Sequence, residues 1–180
     1  MKKNILVVFG IGDTFCDEAS PRCIKRNKSG PILAKEISGL IDTNSDDFFG
    51  FVAVNEPSDT NYKVNALSGV LGSRIIEHKL CSRSLFDTNN QLVVPGQNGE
   101  SETVLDGSQL DHVLPPEEYK LFVSGIDING IFNSFIDEAS SYGYEVVVYS
   151  NAIKPLNKDT INHIVSASKN RNKNVSFRKG

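Results

Sequence analysis

Side chains able to do covalent chemistry are few in this sequence and stand apart. There are three cysteines (Cys16, Cys23, Cys81) and three histidines (His78, His112, His163) in 180 residues. Cys16 closes "FGIGDTFC", three residues after Asp13, and Cys81 stands two residues beyond Lys79 in "HKLC". A thiolate near a lysine is a nucleophile for acyl transfer, because the positive charge lowers the thiol pKa, while an aspartate within reach can take up the proton. A packing role is nevertheless the first reading of each cysteine. Cys16 and Cys23 lack a second nearby pair of ligands, so no metal is expected, and no cofactor. The histidines are scattered and form no Ser/His/Asp-like grouping, so structural roles are expected for them. The Gly-x-Gly of "FGIGD" hints at a phosphate loop, but a dinucleotide fingerprint needs a third glycine where Phe15 stands. Glycines easing a tight turn are the simpler account.

The composition is that of an ordinary globular chain, 39% hydrophobic and 23% charged. At this length one domain over residues 1–180 is expected, burying roughly two thirds of the surface its unfolded chain exposes. A net charge of -3 offers no general attraction to nucleic acid or to an anionic membrane. The basic cluster Lys169, Arg171, Lys173, Arg178 and Lys179 is read as a solvated helix end and tail. No apolar run approaches the ~20 residues that span a bilayer. The six apolar residues from Ile5 are too few for a signal-peptide core and read as a first strand. Three cysteines cannot all pair within one chain, and the expected setting is a reducing cytoplasm.

Any reactive group must be positioned by the elements around it. Continuous apolar runs mark strands buried on both faces at Ile5–Phe9, Phe51–Val54, Tyr119–Val123 and Tyr144–Tyr149. Weaker candidates lie at Arg74–Glu77, Leu92–Val94 and Val175–Phe177. Helical periodicity separates them. In "GPILAKEISGLI", Ile32, Leu33, Ile37, Leu40 and Ile41 are expected on one face, with Pro31 in the first turn. In "NGIFNSFIDEASSYG", Ile131, Phe135, Ile136 and Ala139 form a stripe and Gly143 a C-terminal cap. "NKDTINHIVSAS" predicts a further helix, and Ser108–Val113 a short one among loops. Strand–helix alternation of this kind predicts a Rossmann-like, doubly wound α/β sheet of five or six mainly parallel strands, with helices on both faces. The four strongest strands should lie together at its centre.

"VSGIDINGIFNSFIDEASSYGYEVVVYSNA" (Val123–Ala152) resembles the second half of the isochorismatase-like cysteine hydrolases, which include nicotinamidases. Their pattern there is roughly V-x-G-x-x-T-x-x-C-V, a helix ending in D-A, then G-Y-x-V and D-A. Val123, Gly125, Glu138–Ala139, Gly143–Tyr144 and Asn151–Ala152 fall into register with it. "ILVV" and "GDTFC" are similar to the family's first strand and its N-D-F-C, and "FVAVNEP" to its second strand. "IIEHKLCSRSLFDT" resembles the segment carrying its lysine, with Lys79 in place.

The resemblance implies a cysteine thiolate served by a lysine and an aspartate, with backbone N–H groups holding an oxyanion. Carried over residue by residue, the nucleophile falls on Ile131, which can form no covalent intermediate. The turn threonine falls on Ile128. The aspartate ending the first strand falls on Phe9 or Gly10, and only a shifted alignment lets Asp13 serve. Metal-ligand positions fall on Val54 and Glu56, with Asp59 nearby; two carboxylates without a histidine make a poor zinc site. Phe9, Gly125, Ile126, Asp127 and Ile128 would line what remains of the site. The family's non-proline cis peptide would lie at Ile126–Asp127.

The expectation is a catalytically degenerate protein of this type, acting through a small-molecule ligand in a residual apolar pocket or through assembly. A homo-oligomer or a partner protein is expected, with Phe48, Phe49 and Phe51 as the motive; the alternative is that all three enter the core. A second reading is an active hydrolase using a relocated thiol, Cys16 or Cys81, or a metal-bound water. "VVFGIGDTF" and "VVVYSN" also echo haloacid-dehalogenase-like phosphatases. There Gly10 and Gly12 would replace both essential aspartates, and this stays a minor alternative.

Overall fold

The strand expected from the first apolar run is strand β1, Lys3–Phe9, whose last five residues are all buried. The computed structural model describes residues 1–10, 12, 16–17, 19–21, 29–55, 75–79, 84–87, 91–94, 103–106, 110–126, 131–154, 162, 166 and 174–179. Among them are β2 (Gly50–Asn55), β3 (Ile75–Lys79), β4 (Gln91–Val94), β5 (Thr103–Asp106), β6 (Tyr119–Ile126), β7 (Glu145–Lys154) and β8 (Val175–Arg178). The helices are α1 (Ser29–Asn44), α2 (Leu110–Val113) and α3 (Ile131–Ser141). Asn162 and Ser166 are also helical, within the segment where a further helix is expected.

These strands form one sheet in the order β5-β4-β3-β2-β1-β6-β7-β8. β3, β2, β1, β6, β7 and β8 pair in parallel, and β1, β2, β6 and β7 are neighbours as expected. The sheet is larger than the five or six strands expected: eight are described, and β4 and β5 add an antiparallel edge beside β3. β5 was not expected at all. Short polar-rich segments such as "TVLD" carry no apolar run, and their pairing to a neighbour is what makes them strands.

Right-handed crossovers from β1 to β2 and from β6 to β7 lead to opposite sides of the sheet, so their helices cover opposite faces. α3 meets the face carrying Phe9, whose ring lies 5.3 Å from Phe132 and 5.2 Å from Phe135. α1 packs on β6 and β7. On the face opposite Phe9, Phe48 meets Phe51 at a tilt and Phe122 edge to face, and Phe122 meets Tyr149 at a tilt. Side chains alternate along a strand, so Phe122 and Tyr149 share one face while Leu121 and Val148 share the other.

The buried stripe of α1 is Gly30, Leu33, Ala34, Ile37, Leu40 and Ile41. Ile32 corrects the expectation, being 44% exposed. Five residues of helix turn through 500°, so Ile32 points about 140° away from Ile37. α3 buries Ile131, Phe132, Phe135, Ile136 and Ala139. It ends as expected at Gly143, whose φ of 94° only glycine adopts readily. The N–H of Tyr144 bonds to the Ala139 carbonyl and that of Gly143 to the Ser140 carbonyl, which is a Schellman cap.

The phenylalanine trio divides. Phe48 and Phe51 are core residues, whereas Phe49 is 54% exposed, with the Lys3 ammonium 4.4 Å from its ring centroid. At the same amino end of the sheet, Glu145 bridges Lys2 (3.4 Å) and Lys120 (3.3 Å). Hydrogen bonding from Lys120, then the nearby lysine charges, holds its carboxyl below the usual glutamate range despite some desolvation. The pair is half exposed and contributes little to stability.

Candidate functional site

In an open α/β sheet a crevice opens beyond the carboxyl ends of the strands where the strand order reverses. Here that point lies between β1 and β6, because the chain winds from β1 towards β2 on one side and from β6 towards β7 on the other. Phe9 and Gly125, at the carboxyl ends of the two strands, are ladder partners.

Immediately after Phe9 the chain turns. Gly10 has φ 65° and its N–H donates to the Val54 carbonyl at 2.9 Å. The Cys16 N–H then donates to the Gly12 carbonyl at 3.2 Å, and the buried Cys16 thiol donates to the Gly10 carbonyl at 3.5 Å. Cys16 therefore folds back on the carboxyl end of β1. Asp13 lies outside the described residues, as do Glu56, Asp59, Cys81 and His163.

Across the ladder, β6 runs three residues further than its apolar run suggests, through Ser124, Gly125 and Ile126. Gly125 has φ 114°, and a Cβ built on it would fall 2.2 Å from the Phe9 carbonyl oxygen. Only glycine fits there. Opposite, the β6–β7 register shifts: Val123 faces Val148, but Gly125 faces Ile153. β7 thus spends five steps where β6 spends two, and the surplus lies in Tyr149–Ala152. Ser124 sits at this shift, fully buried, with no hydrogen-bond partner for its hydroxyl.

Ile126 is fully buried at the end of β6, and Ile131 is the first residue of α3, 6% exposed. Residues 127–130 between them, with Asp127, Ile128 and the Ile126–Asp127 peptide, lie outside the described residues. Lys79 is the last residue of β3 and pairs with Asn55 of β2. Two strand spacings, roughly 10 Å, separate the backbones of β3 and β1. His112 is exposed in α2.

Phe9, Gly125 and Ile126 lie at the carboxyl end of the β1–β6 ladder, and Ile131 is buried at the start of α3; the side chains of Phe9, Ile126 and Ile131 are hydrocarbon and aromatic. Phe132 and Phe135, packed on Phe9, extend that lining. Phe132 was not singled out in the sequence, although its place beside Ile131 on an amphipathic helix is the signal for it. The marked titration shifts among the described residues lie elsewhere. Burial, followed by the charges of Asp111 and Glu117, pushes the Tyr144 phenol well above its ordinary range, and burial raises that of Tyr149. Among the described residues no group of three His, Cys, Asp or Glu side chains is placed to hold a metal, and no helix is long and apolar enough to cross a membrane.

Solved structures similar to this chain in fold include isochorismatase-like hydrolases and nicotinamidases. Over 98% of this chain and 99% of the other, it superposes on the nicotinamidase of Bacillus subtilis with a TM-score of 0.68 at 14% identity. The nicotinamidase of Staphylococcus aureus gives 0.65 at 14% identity, over 99% of this chain and 100% of that one. N-carbamoylsarcosine amidase from Thermoplasma acidophilum gives 0.62 at 13% identity, over 98% and 96%. No protein-family model matches the sequence, and no curated protein sequence matches it. The chain has the isochorismatase-like fold.

Proposed function

We propose that this chain is a catalytically degenerate isochorismatase-like protein that acts by binding or assembly rather than by covalent hydrolysis. One observation carries the reading: the first residue of α3, the position on which the resembled family's nucleophile falls, is Ile131. A hydrocarbon side chain there attacks nothing. The aromatic packing of Phe9, where the family's aspartate falls in one register, agrees with it. Lys79 alone would be left of the catalytic set. Purified protein should turn over neither nicotinamide nor N-carbamoylsarcosine above the uncatalysed rate; robust turnover of either amide overturns the reading.

A ligand of the remaining crevice would be small and largely apolar, in keeping with Ile126, Ile131 and Phe132. Self-association is the assembly half of the proposal, with exposed Phe49 as its surface motive. A reducing, cytoplasmic setting goes with three cysteines that cannot all pair. A second reading, hydrolysis by a relocated thiol, is favoured by Cys16, whose sulfur lies beside the Gly10 carbonyl at the carboxyl end of β1. The two are separable: if amide turnover is found and Cys16→Ala abolishes it, the second reading stands.

A further inference from the structure

We draw no further inference here: the strongest candidate, the buried Cys16 thiol beside the Gly10 carbonyl at the carboxyl end of β1, is a lone cysteine, and nothing in the structure joins it to Ser124, the fully buried hydroxyl in β6 that has no hydrogen-bond partner.

Discussion

Gly125 and Phe9 meet backbone to backbone, so closely that a single methyl group on Gly125 would lie 2.2 Å from the Phe9 carbonyl oxygen and 2.5 Å from its nitrogen. Neither atom can move without disturbing β1, which is paired on both sides.

Gly125→Ala should therefore be severe. The clash and the left-handed φ of 114° act together. We expect a loss of at least about 3 kcal/mol, the upper end for single substitutions. Chemical denaturation of purified variant and parent measures it. A loss below about 1 kcal/mol would mean that β6 can slide away from β1.

Ile131→Cys tests the degenerate site directly. The new thiol would stand at the start of α3, and Phe9, where the family's aspartate falls in one register, is an aromatic side chain that cannot take its proton. We expect soluble, folded protein without amide turnover. Hydrolysis by this single variant would show that the remaining machinery is intact and that Asp13, Phe9 and Gly10 are misaligned.

High pH should destabilise the fold through Tyr144. Its phenol is buried, donates to the Leu114 carbonyl at 2.5 Å, and is pushed upward by burial first and by Asp111 and Glu117 next. The folded pKa lies above the unfolded one, so this stabilisation is complete below about pH 10, the ordinary tyrosine value. It is lost as pH rises from there, because the unfolded chain releases the proton more readily. Tyr144→Phe should flatten the alkaline fall in stability while costing about 1 kcal/mol at neutral pH for the lost hydrogen bond. An unchanged alkaline limb in the variant would assign that fall to other groups.

The segment Ser84–Asp87 should come loose when its hold on α3 is cut. Phe86 lies between Phe135 (6.0 Å) and Tyr142 (4.4 Å), nearly parallel to both rings. The Ser84 hydroxyl donates to Glu138 at 2.6 Å. Phe135, Glu138 and Tyr142 are spaced three and four apart, one stripe of the helix continued into its cap. Phe86→Ala is expected to cost roughly 3–5 kcal/mol as a core truncation. Ser84→Ala should cost about 1 kcal/mol. Amide exchange at Phe86 should quicken in both; protection equal to the parent's in both would refute the clamp.

How much of this was legible depends on what each residue's neighbours demand. Strands buried on both faces need uninterrupted apolar side chains, and β1, β2, β6 and β7 announced themselves that way. Their ends did not. Ser124 and Gly125 interrupt the apolar run of β6, yet ladder pairing with Val8 and Phe9 of β1 holds them in the strand; Ser150 and Asn151 interrupt that of β7 where its register shifts. β5 was hidden because its order comes from β4 rather than from its own side chains. Ile32 was misjudged because apolarity was read without its angle around α1. At the site, the stripe of Ile131, Phe135, Ile136 and Ala139 marked α3. The tight approach of Gly125 to Phe9 was invisible, because it is a contact between backbones 116 positions apart in the chain.

That distance has a consequence for the order in which the molecule assembles. β6, α3 and β7 follow one another in the chain, and Val123 meets Val148 across only 25 positions. β1 reaches β6 only by closing a loop more than four times longer, an extra entropic cost of about 1.4 kcal/mol. Short-range pairing therefore has the head start, and the Tyr119–Lys154 unit should condense before β1 slots between β2 and β6. Truncations at Val148 should slow folding, whereas truncations at Val7 should mainly speed unfolding. The reverse pattern in the two rates would place β1 in the nucleus instead.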